Sequence, residues 1–199
     1  MADDKRTEDV LAPSEAIPNR APRQALDYYP TPRWVVDAIK PYLPRARRVL
    51  DPAAGVGELL DAIGADYGKA IELDSERSRQ CLSAHHCDEA CDGDALAMDW
   101  PDADLLIANP PFTLAREFIQ RAIQWRLQDP RRTVAILARL TILESEERRA
   151  MHQQHPSDVY VLSTRPKFRP GRGGKMSTDS VTCCWLVWGP GRGGRWSVL

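Results

Sequence analysis

The sequence predicts an α/β fold built on a mostly parallel, seven-stranded sheet with an antiparallel hairpin at its C-terminal edge. Three observations carry that expectation. Short apolar runs alternate with stretches of helical periodicity, the pattern of repeated β-α units. Several runs end in an acid, a glycine turn or a proline, where a strand hands over to a loop. The last two runs are joined by a Gly-rich basic segment with no helical pattern, so they read as a hairpin.

The elements follow in order. Residues 1–25 are polar and Pro-punctuated and are expected to form a mobile arm, leaving 26–199 as one domain. Thr31-Pro32 reads as a helix start, with Thr as cap and Pro in the first turn, and Trp34, Val35, Ala38 and Ile39 continue at helical spacing. Arg48-Val49-Leu50-Asp51 is a strand that runs into the turn AAGVG. Leu59, Leu60 and Ile63 mark the next helix, and Lys69 to Leu73 the second strand. A helix from Asp74 to about Ala84 and a weak strand near Ala90 to Ala95 come next. Asp104 to Ala108 is a clear strand that stops at Asn109-Pro110-Pro111. Phe118, Ala122, Ile123 and Trp125 mark a helix, Thr133 to Ala138 a strand, and Glu144 to Gln154 a charged helix. Val159 to Leu162 and Val181 to Trp188 complete the seven strands. Pro170-Gly171-Arg172-Gly173-Gly174 recurs as Pro190-Gly191-Arg192-Gly193-Gly194, and both copies are expected to be flexible.

Composition narrows the class. With 199 residues, 43% hydrophobic and 28% charged, the chain fits one globular domain. No apolar run approaches the roughly 18–20 residues of a membrane span. The acidic N-terminus has no apolar core of a secretory signal, and five cysteines make an odd number, so a cytoplasmic protein with reduced thiols is expected. Net charge is −1, but its distribution is uneven. Residues 51–104 hold fourteen acids against three bases, net −11, whereas 165–199 hold seven bases and one acid, net +6. An acidic half and a basic end suggest two ligands, the second a polyanion.

Acids close three successive strands: Asp51, Glu72 and, after Gly93, Asp94. In doubly wound folds ligands sit beyond the carboxyl ends of strands. An acid there can accept from ribose hydroxyls or from an adenine amine, and would repel a pyrophosphate. The turn after Asp51 fails both the dinucleotide fingerprint, which would need Gly where Leu60 stands, and the phosphate-cradling loop, which needs Lys. The set therefore suits an adenosine-bearing ligand without a phosphate tail. Asn109-Pro110-Pro111-Phe112 adds carbonyl acceptors that could hold an amine, beside an apolar ring for stacking.

DYYPTP, VLDPAAGVGELL, AIELD, GDAL and ANPPF, in this order, resemble the motifs of S-adenosylmethionine-dependent amino-methyltransferases. The likeness is greatest to N6-adenine DNA methyltransferases of the small orphan type carried by phages and prophages, and it spans 27–188. The Asn-Pro-Pro-aromatic motif is shared with glutamine and RNA methyltransferases; YPTP and the C-terminal hairpin tilt the reading toward DNA. The resemblance implies a Rossmann-like class I methyltransferase fold, with S-adenosylmethionine as cofactor and DNA as partner. It implies that Tyr29, Pro30 and Thr31 contact the methionine part of the cofactor, and that Asp51, Ala53, Gly55 and Gly57 line its amino-acid and ribose portions. Glu72 would bind the ribose hydroxyls, Leu73 flank the adenine, and Asp94, with Ala95 beside it, accept from the adenine amine. Asn109, which also borders the cofactor, would hold the target amine with the Pro110 carbonyl, next to Pro111, while Phe112 stacks on a flipped base. Phe112 replaces the commoner Tyr, and Ala53-Ala54 replaces a frequent Cys or Gly.

DNA contacts are expected from Arg165, Lys167, Arg169, Arg172 and Lys175, because no room remains for a separate target-recognition domain. A homodimer stays open. Rival readings are methylation of RNA adenine or of a protein glutamine amide by the same fold, and a nucleic-acid-binding module without catalysis. Cys81, His85, His86, Cys87 and Cys91 lie within eleven residues, but their spacing is not that of a zinc motif, so no metal is expected. Cys183 and Cys184, adjacent in a strand, are expected to face core and partner surface respectively.

Overall fold

The computed structural model describes residues 30–166, 169–170, 176–177 and 181–199. Helices α1 (Arg33–Ile39), α2 (Glu58–Ile63) and α3 (Ser75–Ser83) alternate with strands β1 (Arg48–Asp51), β2 (Tyr67–Glu72) and β3 (Glu89–Asp92). Then come β4 (Leu105–Ala108), α4 (Ala115–Leu127), β5 (Thr133–Arg139), α5 (Glu146–Gln154) and β6 (Asp158–Val161). The short β7 (Arg169–Pro170) and β8 (Met176–Ser177) pair with each other, and β9 (Cys183–Trp188) and β10 (Trp196–Val198) close the chain.

Eight strands form the main sheet in the order β10-β6-β9-β5-β4-β1-β2-β3. All neighbours are parallel except where β9 meets β5 and β6. From β1 the chain steps outward to β2 and β3, then returns to β4 on the other side. That reversal opens a crevice between the carboxyl ends of β1 and β4, where open α/β sheets bind ligands.

Alternation along the strands explains the layers. Leu105 and Ile107 face one core, with Val35, Ile39 and Leu60 of α1 and α2. Leu106 and Ala108 face the other, with Phe118, Ile119 and Trp125 of α4 and Met151 of α5. All four residues of β4 are buried, as a central parallel strand covered on both faces requires.

The structure corrects the sequence expectation in four places. First, β6 and β9 form the expected antiparallel pair, but the pair is not the outermost in the sheet. β9 inserts between β5 and β6, and β10 adds an eighth strand outside β6. Trp185 explains the insertion: it is fully buried and its indole N–H donates to the Val35 carbonyl at 3.1 Å, tying β9 to α1. Second, Thr31 does not cap α1. Pro32 occupies the cap position with extended ψ and no side-chain bond. Third, the second glycine-arginine repeat is an ordered turn. Its Arg192 bonds the buried Asp158 at 3.3 Å and the Tyr160 hydroxyl at 3.1 Å, while the Gly193 and Arg195 N–H groups donate to the other Asp158 oxygen. Fourth, Cys183 and Cys184 are both fully buried, one in each core, and burial pushes the Cys184 thiol up to about 12. The 1–25 arm, Tyr29 and residues 171–174 of the first repeat copy lie outside the described residues.

Candidate active site

Asp51 ends β1 at the crevice and is completely buried. Its Oδ1 accepts from the Ala53 N–H at 3.0 Å, whereas Oδ2 has no hydrogen-bond partner among the described residues. Burial holds its carboxyl well above the usual carboxylate range, against the Ala53 bond, with the Glu72 and Glu58 charges adding to the rise.

The turn after Asp51 is shaped by glycine. Gly57 has φ +92°, and a Cβ there would lie 2.6 Å from both Cys81 Sγ and His86 Cβ. The Ala54 N–H bonds the Ile71 carbonyl, and His86 Nδ1 lies 2.8 Å from the Val56 carbonyl, so β2 and the segment after α3 hold the turn from two sides. Cys81 and His86 thus pack against the turn and hold it in place. Among the described residues no group of three or more His, Cys, Asp or Glu side chains is placed to hold a metal ion.

Glu72 ends β2 and reaches back under the turn. Its Oε2 accepts from the Gly55 N–H at 2.8 Å; its Oε1 accepts from the Asp74 N–H at 3.0 Å and from Arg77 at 3.3 Å. Leu73, the next residue, is 48% exposed, an apolar side chain open at the crevice rim. Asp94 follows β3 with Oδ1 bonded to the Leu96 N–H at 2.9 Å, and Ala95 is buried beside it. The register places Glu72 opposite Asp92, and the Gly93 N–H donates to the Glu72 carbonyl, so the ends of β2 and β3 are adjacent.

Across the crevice, Asn109 leaves β4. Its Nδ2 donates to Thr31 Oγ1 at 2.9 Å, although the two residues are 78 positions apart. Thr31 is buried, and this bond is what its hydroxyl does in place of capping α1. The bond turns the amide nitrogen toward Thr31, which puts the carbonyl oxygen on the opposite side. Pro110 is buried, and the Pro111 carbonyl accepts from the Leu114 N–H at 2.8 Å in the turn Phe112–Leu114. Only the Pro110 carbonyl of the pair therefore stays outside that turn. Phe112 is half-buried, and the Arg139 guanidinium lies 4.7 Å from its ring centroid.

The structure thus brings Thr31, Asp51, Ala53, Gly55, Gly57, Glu72, Leu73, Asp94, Ala95 and Asn109 to Phe112 to the carboxyl end of one sheet. Pro30 is exposed just ahead of Thr31. Of the basic residues, Arg165 is exposed; Lys167, Arg172 and Lys175 lie outside the described residues, and of Arg169 only the backbone in β7 is described.

This arrangement matches solved structures. A dimethyladenosine transferase from Plasmodium falciparum superposes with a TM-score of 0.58 at 16% identity, over 80% of this chain and 62% of that one. The chain thus spans less than two thirds of that protein's length. A Pyrococcus horikoshii protein assigned as an RNA methyltransferase gives 0.59 at 18% identity, over 84% and 90%. The 23S rRNA methyltransferase ErmE gives 0.58 at 15% identity, over 83% and 71%. This chain shares with these methyltransferases a Rossmann-like α/β fold. No protein-family model and no curated protein matches the sequence.

Two residues at the site escaped the sequence reading, Arg77 on Glu72 and Arg139 on Phe112, and His86 was weighed there only as a metal ligand, not as a support of the glycine turn. Arg139 was within reach of that reading, because it ends β5 as the marked acids end β1 and β2.

Proposed function

We propose that the chain transfers a methyl group from S-adenosylmethionine to the N6 amine of adenine in DNA. The observation that carries this reading is the pairing of two half-sites across one crevice: a buried acid and glycine turn on β1, and the Thr31-oriented Asn109 on β4. The first half fits the cofactor. Asp51 Oδ2 is a buried acceptor without a donor, and the α-ammonium of a methionine moiety is a donor of the right charge. Glu72, Leu73 and Asp94 lie beside it in the order that ribose and adenine would need. S-adenosylmethionine supplies a methyl group already activated on a sulfonium sulfur, so positioning provides most of the acceleration.

The second half fits an aromatic amine. The N6 lone pair is delocalised into the purine ring. Asn109 Oδ1 and the Pro110 carbonyl accept from its two hydrogens, which favours a pyramidal nitrogen with a localised lone pair. That pair forms the new N–C bond, the S–C electrons return to sulfur, and the nitrogen then releases a proton to solvent. Phe112 offers a face on which the extruded base stacks.

A second reading, adenine in RNA, is favoured by the likeness to a dimethyladenosine transferase and an rRNA methyltransferase. The motif YPTP, the antiparallel C-terminal pair and the basic segment after β6 support DNA. Incubating the protein with methyl-tritiated cofactor and DNA, RNA or mixed protein in parallel decides between them. Label in DNA as N6-methyladenine is the expected result. Label confined to RNA would transfer the reading to that substrate, and label in protein alone would overturn it.

A further inference from the structure

We infer that Arg139 and Phe112 form a two-sided stacking clamp for the methyl-accepting base, an inference that rests on the nucleic-acid reading above. Arg139 is the last residue of β5 and the only exposed one; the six before it are buried. Its backbone is held rigidly, since Arg139 pairs with Cys183 in β9 and the next N–H, of Leu140, donates to the Thr182 carbonyl. β5 lies beside β4, with Ala108 opposite Ile136, so Arg139 rises next to the Asn109–Phe112 segment. There its guanidinium covers the Phe112 ring at 4.7 Å. Among the described residues it makes no ion pair, so the ring is its partner.

A planar guanidinium stacks on a base as an aromatic ring does. In the structure the two jaws rest against each other. Admitting a base between them requires about 7–8 Å, two van der Waals contacts of about 3.5–4.0 Å each. The opening needed, roughly 3 Å beyond the present 4.7 Å, is within reach of an exposed arginine turning about its own side-chain bonds. Arg139 is a substrate-positioning residue on this account, and its planarity matters as much as its charge.

That distinction makes the test. A single-stranded oligonucleotide of mixed sequence, with 2-aminopurine in place of one adenine, reports stacking as fluorescence quenching. The same unmodified strand reports methyl transfer, and calorimetry with S-adenosylmethionine confirms an intact cofactor site. Arg139→Ala should weaken oligonucleotide binding about tenfold, within the scale of one base–aromatic stack, and lose the quenching. Its cofactor affinity should match wild type. Arg139→Lys should be as poor as Arg139→Ala, whereas Arg139→Tyr should recover most of the quenching and the KM. Recovery by Lys but not by Tyr would mean a phosphate grip and would overturn the clamp, as would an Ala variant equal to wild type. A wild-type protein that neither binds nor methylates any strand would instead overturn the nucleic-acid reading, and the clamp with it.

Discussion

Asp51 is a carboxyl group with one oxygen satisfied and one orphaned in the protein interior. Its folded-state pKa is raised, mainly by burial, above the value of about 3.9 in an unfolded chain. The folded state therefore binds the proton more tightly, and the stability linked to it is present below about pH 4 and lost as pH rises through the folded value. Asp51→Asn removes that dependence. Urea melts should give the two proteins similar stability near pH 4 and a more stable variant at pH 8. Parallel stability curves would contradict the assignment. Thr31 makes a second prediction. Thr31→Ser keeps the hydroxyl that holds Asn109 and should keep the rate, whereas Thr31→Val should lower kcat about tenfold, the scale of one hydrogen bond. Equal rates in Ser and Val variants would remove Thr31 from the catalytic geometry. Asp51, Glu72 and Asn109 were legible in the sequence because each marks a strand end by its type. The Thr31–Asn109 and Arg139–Phe112 contacts were not, because each joins residues whose proximity is created only by strand order.

At the level of elements, the parallel strands were legible because their apolar runs are bounded by acids, glycine and proline. β1 begins and ends where its sequence pattern does. α3 was legible through its cap: Asp74 accepts from both the Glu76 and Arg77 N–H groups. β9 was recognised as a strand antiparallel to β6, but its insertion against β5 was not, since a run of six buried residues does not reveal which strand covers its second edge. The second glycine-arginine repeat misled for a different reason. Composition predicts flexibility, but Asp158, completely buried 34 residues away, recruits Arg192 and two backbone N–H groups. Arg192→Ala should therefore destabilise the fold by about 3 kcal/mol in a denaturant melt, the scale for stranding one partner of a buried pair. The equivalent change in the first copy, Arg172→Ala, should leave the midpoint unchanged. Equal and small effects of the two changes would return both copies to the status of loops.

For the molecule as a whole, the uneven charge acquires a structural meaning. Many of the acids in 51–104 neutralise bases or bond backbone: Asp102 and Asp104 on Arg48, Asp61 on Arg33, Glu89 on Lys69, Asp88 on the Gly68 N–H. The strand-end acids Asp51, Glu72 and Asp94 bond the turns that follow their own strands, with Arg77 also on Glu72, and so line the crevice. At the basic end Arg192 is spent internally, whereas the segment between β6 and β9 leaves and re-enters the sheet at the carboxyl end of β5. There the Leu162 N–H meets the Cys183 carbonyl and the Leu140 N–H meets that of Thr182. The described ends of that segment thus lie at the same end of the sheet as Asn109. Among the described residues no helix is long and apolar enough to cross a membrane. The central claim, methylation of adenine N6 in DNA at the Asn109 site, is tested most directly by nucleoside analysis of DNA from a host without adenine methylation that expresses this chain. Wild type should place N6-methyladenine in that DNA, and Asn109→Ala, with cofactor affinity unchanged by calorimetry, should place none. DNA free of N6-methyladenine in cells that contain folded, cofactor-binding wild-type protein, or equal modification by the Asn109→Ala variant, would contradict it.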